Sequence, residues 1–399
     1  MISYAEALER LLLAAKPIED TETIPLLYST NRVLAHDVVS PISVPGWDNS
    51  QMDGYAVHTV DLADGKLGPV RLAVSERITA GSVGTKLERG TVARIFTGAP
   101  LPEGADAVVP QEDVEVNEDG VLFTKPVKPG AWVRRKGSDV EAGSTVLEAG
   151  ARLTPGAIGM LASIGRAYVT VRRRIRVGIF FSGDELVQPG EPLPPGGIYN
   201  SNRFTMRSLL MMLGCEVIDL GSIPDSLDAT VRAFEKAADA ADVILSTGGM
   251  SVGEEDHIKP AVERLGKLDL WRVNLKPGKP LAYGEVCGVP FIGLPGNPVS
   301  GFVVFLMMAR PFLLRCMGLT NVDLKALEIR ADFDWKAGSR EEFLRVRRND
   351  AGGLDLYPTQ NSQVLSSCAW ADGLADIPGG ASVKRGDLVR YYPFCEFFA

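Results

Sequence analysis

The sequence contains few of the residues that usually build transition-metal sites or disulfide frameworks. Only three histidines occur among 399 residues, at positions 36, 58 and 257, and they are too scattered to indicate a histidine-rich metal centre. The five cysteines form no C-x-x-C pair and leave an odd count. This pattern fits reduced thiols in a cytosolic protein better than a disulfide scaffold or a zinc site.

Two further classes of protein are disfavoured by charge and hydropathy. The net charge of -8 argues against a general nucleic-acid-binding protein, although it leaves room for a local basic pocket around a small anion. The most apolar segment, 299–314, is interrupted by Arg310-Pro311 and predicts a buried helix instead of a membrane span. The chain begins with the capping box Ser3-Tyr4-Ala5-Glu6 before a leucine-rich helix, which is not typical of a signal peptide. We therefore expect a cytoplasmic protein with no nucleic-acid partner and no membrane segment.

The length of the chain predicts more than one domain, because single hydrophobic cores stop growing beyond roughly 250 to 300 residues. Short strand patterns separated by Gly, Pro and Asp turns extend over residues 57–146 and predict a small all-β domain. From residue 175 onwards strands alternate with helices, a pattern typical of a parallel sheet with helices on both faces. After residue 319 the two-residue period returns, with glycine-rich turns, and predicts a C-terminal β domain.

The segment 242–258, with the sequence DVILSTGGMSVGEEDHI, is the densest group of functional residues in the predicted α/β region. Its first residues predict a buried strand that ends in a loop. Glycine allows positive φ angles and close backbone approach, so this loop could present several N–H groups to an anion. The residues that would form this anion cradle are Gly248, Gly249, Ser251 and Gly253.

Three carboxylates, Glu254, Glu255 and Asp256, follow this loop directly. Carboxylates beside an anion site would repel a phosphate unless a cation lies between them, and Mg²⁺ is the usual bridging ion. A triphosphate-hydrolysing P-loop is disfavoured, because Glu254 and Glu255 replace the lysine and the hydroxyl residue of that motif. The segment also fits a glycine-rich turn followed by a solvated acidic helix start, since acids favour the positive end of a helix dipole.

Three more loops follow predicted strands and carry similar groups. In parallel α/β sheets, ligands bind at the carboxyl ends of the strands, and the loops 182–186, 275–280 and 294–300 each combine a glycine with charged or hydroxyl residues. Such groups support phosphoryl or oxyanion chemistry, with lysines as point charges, a hydroxyl as a donor and carboxylates as metal ligands. The residues in these roles are Lys276, Lys279, Ser300, Glu185 and Asp256.

The predicted β domain contains three turns that are rich in functional groups. They are the Asp-Gly turn around Asp53, the segment 94–99 and the basic turn 134–139. Each of them also fits an ordinary tight or solvated turn. His257 is interpreted as a helix-start residue, so no histidine in the strand-end loops pairs with a nucleophile.

Six short motifs occur in order along essentially the whole chain. They are Met52-Asp53-Gly54-Tyr55-Ala56, Thr97-Gly98-Ala99, Ser182-Gly183-Asp184-Glu185-Leu186, the glycine loop 248–253 with Asp256, Pro277-Gly278-Lys279-Pro280 and Leu294-Pro295-Gly296-Asn297-Pro298-Val299-Ser300. Each is weak by itself, but the ordered set resembles the molybdopterin molybdenumtransferases, the family that includes the E domain of gephyrin.

This resemblance implies that molybdate is inserted into adenylylated molybdopterin with release of AMP, assisted by Mg²⁺, in a homodimer whose site lies between the subunits. It implies that Asp53, Thr97 and Asp139 come from one subunit, and that Glu185, Asp225 and Asp256 line the α/β domain of the other, with Glu185 and Asp256 as metal ligands. Phosphate binding is expected at Thr97, at Arg134 and at the glycine loop. Molybdate, a dianion that suits ammonium and guanidinium donors, is expected at Lys276, Lys279, Ser300, Arg345 and Ser366.

Several alternatives stay open at this stage. Arg340 competes with Arg345, and Ser367 with Ser366, for the same roles at the molybdate site. The choice between a molybdenum and a tungsten pathway is also open. Two other functions fit part of the pattern, namely a molybdopterin adenylyltransferase, which is also a possible pathway partner, and a scaffold or carrier that binds the pterin without turnover.

The residue patterns and the resemblance together predict a multidomain protein of α/β and β class. Residues 175–320 are predicted to form a doubly wound parallel α/β domain that binds molybdopterin. Residues 47–146 are predicted to form a small β domain inserted into an extended linker domain, which is made of residues 1–46 and 147–174. Residues 321–399 are predicted to form a C-terminal β domain that resembles a barrel.

Overall fold

A six-stranded sheet forms the centre of the chain in the computed structural model, which describes residues 2–63, 68–249 and 257–398. The first four strands are parallel and the last two are antiparallel to their neighbours. In sheet order the strands are Glu216–Ile223, Arg176–Ser182, Val243–Thr247, Val289–Leu294, Pro280–Val286 and Gly266–Arg272.

Helices cover both faces of this sheet, as the alternation of strands and helices predicts. Alternate residues of the strand Arg176–Ser182 enter two different cores: Val177 and Ile179 pack on one face, and Phe180 packs on the other. The helices of this domain are Ser201–Leu213, Leu227–Ala240, Ile258–Leu265, Pro298–Val304 and Arg310–Cys316, and the π-helical turn Phe305–Ala309 joins the last two. A short parallel pair, Leu186–Val187 with Ile198–Tyr199, lies beside them.

The antiparallel pair at one edge of the sheet was not predicted. Because Gly266–Arg272 runs antiparallel to Pro280–Val286, which is itself antiparallel to Val289–Leu294, its carboxyl end points the same way as those of the central strands. The lysine-containing loop that follows Gly266–Arg272 therefore reaches the same edge of the sheet as the other predicted site loops.

The N-terminal part of the chain forms an extended layer. The strand Thr21–Pro25 pairs with Tyr168–Arg172 over five residues, so the segments before and after the inserted β domain are joined side by side. The helix Tyr4–Ala14 instead packs into the core of the α/β domain through Ala7 and Leu11. The other elements of this layer are Leu26–Tyr28, Val38–Val39, Thr145–Leu147 and Pro155–Ser163.

The inserted β domain contains a second six-stranded sheet with its own core. Its chain enters and leaves through a narrow ribbon, in which Val38–Val39 pairs with Thr145–Leu147 and Asn49–Ser50 pairs with Val133–Arg134. In sheet order its strands are Ala107–Pro110, Gly54–Val57, Thr91–Ile95, Val70–Ile78, Gly120–Phe123 and Val114–Asn117, and the short helices Thr59–Ala63 and Gln111–Asp113 accompany them.

The C-terminal β domain contains a third sheet, and the α/β domain contributes one of its strands. The two-residue strand Leu275–Lys276 pairs in parallel with Glu341–Arg348 at the sheet edge. The remaining strands are Gly373–Ile377, Leu388–Pro393, Leu327–Arg330, Leu354–Leu356 and the small pair Trp335–Lys336 with Ser382–Val383, and the helices are Ser366–Trp370 and Phe394–Phe397. This shared sheet joins the two domains.

The apolar segment that begins at Pro298 is the central helix of the α/β core. It is long and apolar enough to cross a membrane by length and composition alone, but 89% of its most apolar window is buried inside the protein. Its Arg310 guanidinium is buried and donates to the carbonyls of Phe397 at 2.5 Å, Val322 at 3.1 Å and Glu396 at 3.3 Å. Burial lowers the pKa of Arg310 to about 10, which still leaves the group charged at neutral pH. The predicted buried helix is therefore confirmed.

Two carboxyl groups, Glu341 and Asp376, lie together on neighbouring strands of the C-terminal sheet. Asp376 is 4% exposed, and one of its carboxylate oxygens is buried without a hydrogen-bond partner among the described residues. Its second oxygen lies 3.3 Å from the Arg390 guanidinium. Burial, followed by the charge of Asp376, raises the pKa of Glu341 to about 7. The pair therefore holds a proton at pH values where an exposed glutamic acid has lost it.

This proton makes stability depend on pH. The pKa of Glu341 is higher in the folded than in the unfolded chain, so its contribution to stability is complete below about pH 4.5 and is lost as pH rises through about 7. We predict that Glu341→Gln, which mimics the protonated acid, flattens the fall in melting temperature between pH 5 and pH 8. Thermal unfolding between pH 5 and pH 8 measures how the melting temperature changes with pH, and Glu328→Gln, at an exposed position, is the matched control. Parallel curves for wild type and Glu341→Gln would contradict the assignment.

Candidate functional site

Three strand ends meet at the carboxyl edge of the central sheet. The Gly248 amide donates to the Leu294 carbonyl at 3.1 Å, which joins the loops that follow two neighbouring strands. The Asn202 amide group donates to the Gly296 carbonyl at 2.7 Å and to the Thr247 hydroxyl at 3.3 Å. Asn202 lies in the first turn of the helix Ser201–Leu213, so this helix fixes both loops.

Glycine is required where these loops approach one another. Gly248 has a φ of 87°, and a Cβ atom there would lie 3.4 Å from the Ser182 carbonyl oxygen. A Cβ atom at Gly296 would lie 3.3 Å from the Gly248 Cα. The three loops therefore pack closely, and the positive φ of Gly248 favours glycine at that position. Gly249 also has a positive φ, of 62°.

Acidic groups line the same edge. The Ser182 hydroxyl donates to the Asp225 carboxylate at 2.7 Å, and the Asp225 amide donates to the Asp184 carboxylate at 3.0 Å. The Glu185 carboxylate accepts no hydrogen bond from any residue that the structure describes, and it folds back over Gly183, where a Cβ atom would lie 2.6 Å from it. Glu185 and Asp225, which the sequence places in the site, thus follow two neighbouring parallel strands, Arg176–Ser182 and Glu216–Ile223.

The remaining members of the predicted acidic and glycine loop, Ser251, Gly253 and Asp256, lie outside the described residues. Within the described parts of the chain, no three His, Cys, Asp or Glu side chains form a cluster that could hold a metal ion. The Glu185 carboxylate nevertheless has oxygen atoms free of other partners, which fits the oxygen ligands that Mg²⁺ prefers.

Asn202 is a site residue that the sequence did not reveal. Its side-chain oxygen is buried without a hydrogen-bond partner among the described residues, while its amide group holds two strand-end loops. Buried polar atoms are rarely left unpaired, so an oxygen at this edge is available to a ligand. In the sequence, Asn202 lies two residues after the N-cap Asn200 and is not distinguishable from an ordinary residue of a first helical turn.

The two lysines of the predicted molybdate site have different surroundings. Lys276 donates to Glu342 at 3.1 Å, and this carboxylate, 1% exposed, also accepts from the Gly338 amide at 2.9 Å and from the Trp335 indole at 3.0 Å. Lys279 is exposed, and its ammonium group makes no hydrogen bond or ion pair with the rest of the described chain. The Lys276 charge is held in place by Glu342, whereas the Lys279 charge is available to an anion.

The loop that carries these lysines lies against the start of the apolar helix. Gly278 has a φ of 111°, and a Cβ atom there would lie 2.3 Å from the Val304 side chain and 3.5 Å from the Ser300 carbonyl. Ser300 itself is buried. The Val299 amide donates to the Ser362 carbonyl at 3.1 Å, which brings the segment before Ser366 to the same helix.

Arg345 is fully buried and contacts Ser367 instead of Ser366. The Arg345 Nε donates to the Ser367 hydroxyl at 3.2 Å, and Nη1 donates to the Phe343 carbonyl at 3.2 Å. Its Nη2 is buried and has no partner in the part of the chain that the structure describes. Burial lowers the pKa of Arg345 to about 10, so the guanidinium remains charged at neutral pH.

The alternative residues of this region have other partners. The Ser366 hydroxyl lies 3.0 Å from the Tyr357 hydroxyl. Arg340 donates to the Leu275 carbonyl at 3.1 Å, next to Lys276. Both arginines therefore keep guanidinium nitrogens without a partner among the described residues, and Ser367 is the serine beside Arg345.

In the inserted β domain, Asp53 and Thr97 form one unit. The Asp53 carboxylate accepts from the Thr97 amide at 2.8 Å and from its hydroxyl at 2.7 Å. These two bonds, with a smaller effect from the Arg94 charge, lower the pKa of Asp53, so it is ionised at neutral pH. The exposed side chains of Arg134 and Asp139 lie at the base of this domain, where the Arg134 strand pairs with Asn49.

The predicted site residues thus form two groups within one chain. Among the residues that the structure describes, no hydrogen bond or ion pair connects Asp53, Thr97, Arg134 or Asp139 to the α/β domain. The second group contains Glu185, Asp225, Gly248 and Gly249 at the carboxyl edge of the central sheet, and Lys276, Lys279, Ser300 and Arg345 near the junction of the α/β and C-terminal domains.

Three family profiles match consecutive parts of the chain. The MoeA N-terminal region (domain I and II) matches residues 2–165, the probable molybdopterin binding domain matches residues 178–315, and the MoeA C-terminal region (domain IV) matches residues 328–394.

Named relatives and solved structures agree with these matches. The molybdopterin molybdenumtransferase of Haemophilus influenzae is 43% identical over 80% of this chain and 78% of its own length. Molybdopterin molybdenumtransferase 2 of Mycobacterium tuberculosis H37Rv is 36% identical over 94% of each chain. The molybdopterin biosynthesis moeA protein of Pyrococcus horikoshii has a TM-score of 0.88, with 29% identity, over 99% of this chain and 100% of its own.

The contact between Gly278 and Val304 leads to a stability prediction. Alanine at Gly278 would meet both a strained positive φ and a steric clash, whereas alanine at Gly288, with a φ of 83° and open space around it, would meet only the strain. We expect Gly278→Ala to destabilise the protein by about 1–3 kcal/mol more than Gly288→Ala, the usual effect of overpacking. Urea unfolding of both variants measures the difference. Equal destabilisation would show that the loop does not rest on the helix.

Proposed function

Because the chain belongs to the molybdopterin molybdenumtransferase family, we propose that it inserts molybdate into adenylylated molybdopterin, releasing AMP and forming the molybdenum cofactor. The observation that carries this proposal is the set of cationic groups at the junction of the α/β and C-terminal domains. Lys279 and one nitrogen of Arg345 have no partner among the described residues, and the strand that carries Arg345 pairs with Leu275–Lys276, just before Lys279. Such a set suits a small dianion.

The proposed role of this junction is to hold molybdate. Lys276, Lys279 and Arg345 neutralise the dianion, and the Ser300 and Ser366 hydroxyls donate hydrogen bonds to it. The Ser367 hydroxyl already donates to the Val364 carbonyl and accepts from Arg345, so it orients the guanidinium instead. Glu342 keeps the Lys276 ammonium in one position, and its negative charge offsets part of the positive charge of Lys276. Arg345 is already desolvated, and the nitrogen that lacks a partner among the described residues supports a role in binding the anion.

The proposed role of the carboxyl edge is to hold the pterin phosphate and the diphosphate link. The backbone amides around Gly248 and Gly249, together with Ser251 and Gly253, approach the phosphate, while Asn202 keeps the neighbouring loops in place. Glu185 and Asp256 are the proposed ligands of Mg²⁺, which supplies positive charge to the diphosphate when bound. Asp225 is fixed by Ser182 and faces the same edge.

We further propose a homodimer in which Asp53, Thr97, Arg134 and Asp139 of one subunit complete the site of the other. The separation of the two residue groups within one chain supports this arrangement, because a second copy can bring them together. The five free cysteines support a reducing, cytoplasmic location. A molybdopterin adenylyltransferase, which would make the adenylylated substrate, is the proposed pathway partner.

A turnover assay with adenylylated molybdopterin, molybdate and Mg²⁺ tests the function directly. Molybdate-dependent release of AMP is the expected result. Binding of the substrate without AMP release would favour the carrier alternative. Formation of adenylylated molybdopterin from ATP and molybdopterin would favour the adenylyltransferase alternative, which the matches to all three family profiles disfavour.

The free ammonium of Lys279 gives a specific prediction. We expect Lys279→Ala to release AMP at a near-normal rate only at high molybdate, with the half-saturating concentration raised about tenfold or more, because one charge-assisted contact is lost. Lys267→Ala, which removes an exposed lysine from the edge strand of the same sheet, is the control. An unchanged molybdate dependence in Lys279→Ala would exclude the residue from the molybdate site.

The proposed metal ligand Asp256 gives a second prediction. Asp256→Asn is expected to abolish AMP release and to leave the circular dichroism spectrum and the melting temperature unchanged, because the substitution removes a charge and little volume. The assay is repeated over a range of Mg²⁺ concentrations. Normal molybdate-dependent release of AMP from this variant would rule out the role of Asp256.

A further inference from the structure

A row of three side chains crosses neighbouring strands of the inserted β domain. Tyr55 pairs with Arg94, and Arg94 pairs with Arg77 on the next strand. Residues directly opposite one another on adjacent strands share a face of the sheet, so two guanidinium groups lie side by side on this face. Like charges in such a pair repel each other, and the arrangement therefore needs a stabilising neighbour or a negatively charged ligand.

The aromatic ring of Phe96 is the neighbour that both arginines share. The guanidinium carbon of Arg77 lies 4.5 Å from the centre of the Phe96 ring, and that of Arg94 lies 4.7 Å from it. Arg94 also lies 5.2 Å from the Tyr55 ring centre. Stacking on an aromatic ring orients a guanidinium group but uses none of its N–H donors.

The two arginines differ in how many of these donors are already used. Arg94 donates to the Gly54 carbonyl at 3.0 Å and to the side chain of Gln111. Arg77 is exposed and makes no hydrogen bond or ion pair with any described residue. Arg77 therefore presents all its donors from a fixed strand position, beside a second guanidinium that is locked in place.

The carboxylates close to this row are occupied by other partners. Glu76, the neighbour of Arg77 in sequence, accepts from the Thr85 amide and hydroxyl, each at 3.1 Å. Asp53 is held by Thr97, and of the two arginines only Arg94 contributes through its charge to the lowered pKa of Asp53. The positive charge of Arg77 is therefore left without a counter-charge, next to residues of the proposed site.

We propose that Arg77 and Arg94, stacked on Phe96, form a binding site for a phosphate ester or diphosphate group. Planar guanidinium forks match phosphate oxygens, and two of them on one ring match an anion with two charged ends. This inference rests on the proposed function in one respect: the ligand is assigned as the nucleotide half of the adenylylated substrate, which reaches this face beside Asp53 and Thr97.

Calorimetric titration of the full-length protein with AMP and with inorganic pyrophosphate tests the site. Arg77→Ala is expected to weaken binding of both ligands about tenfold or more and to reduce the salt dependence of binding, because one charge-assisted contact is lost. Arg77→Lys is expected to restore the affinity only in part, since an ammonium group lacks the planar fork and the stacked position. Phe96→Leu keeps both charges and is expected to weaken binding by releasing them from their fixed orientation.

Arg71→Ala is the matched control, because it removes the same charge from the other end of the same strand. The melting temperature of each variant shows whether the β domain remains folded. The proposal is overturned if wild type binds neither ligand, if Arg77→Ala and Phe96→Leu bind both as wild type does, or if Arg71→Ala weakens binding as much as Arg77→Ala.

The turnover assay separates this inference from the proposed function. Under the proposal, Arg77→Ala raises the KM for adenylylated molybdopterin with little change in kcat, since Arg77 binds the nucleotide half and touches no molybdate. If wild type releases AMP and Arg77→Ala has an unchanged KM, the phosphate site is wrong and the function stands. If wild type releases no AMP but Arg77→Ala still weakens pyrophosphate binding, the function is wrong and the site stands.

Discussion

The buried charge of Arg310 constrains the whole junction between the α/β domain and the C-terminal part of the chain. A guanidinium inside an apolar core is costly unless its donors are paired, and here its partners are three backbone carbonyls, two of them in the last turn Phe394–Phe397. The chain terminus must therefore return to this helix. The same helix begins at Pro298, beside the strand-end loops, so one buried charge fixes both the core and a wall of the proposed site.

A second feature of this helix shows how the N-terminal segment is tied to the core. Pro311 has no N–H group, so it cannot donate the usual helical hydrogen bond to the Met307 carbonyl, four residues earlier. The Tyr4 hydroxyl donates to this carbonyl at 3.3 Å, and the helix is π-helical over Phe305–Ala309, just before the proline. The first helix of the chain thus donates a hydrogen bond to a carbonyl that Pro311 cannot satisfy.

The ends of several elements are set by nearby residues and can therefore be recognised in the local sequence. Asn200 and Ser226 accept hydrogen bonds at the starts of their helices, and Gly214 ends the first of them with a φ of 88°. The fold class was predictable for the same reason, because strands and helices alternate from residue 175 onwards. The sequence did not predict the antiparallel pair at the sheet edge. No helix connects Gly266–Arg272 to Pro280–Val286, and the parallel strands were recognised by the helices that connect them.

The sequence indicated which loops carry candidate site residues, but not which residues these side chains contact. Glu342 is an ordinary acidic residue in the sequence, and only the folded chain shows it buried beneath Lys276. The requirement for glycine at 278 depends on Val304, which is remote in the chain, and the pairing of Asp53 with Thr97 depends on the register of two strands. Such contacts arise from tertiary packing, so a single sequence names the residues but not their partners.

The ribbon that carries the inserted β domain has a consequence for how this chain could have been assembled. Its two backbones run side by side, since Val44 bridges to Val140 where the chain enters and leaves. A segment with adjacent ends can be removed, and the gap closed by a short turn, without moving the strands Thr21–Pro25 and Tyr168–Arg172 outside it. The inserted domain, which carries Asp53 and Arg77, can therefore be replaced, in evolution or by design, while the rest of the chain keeps its fold.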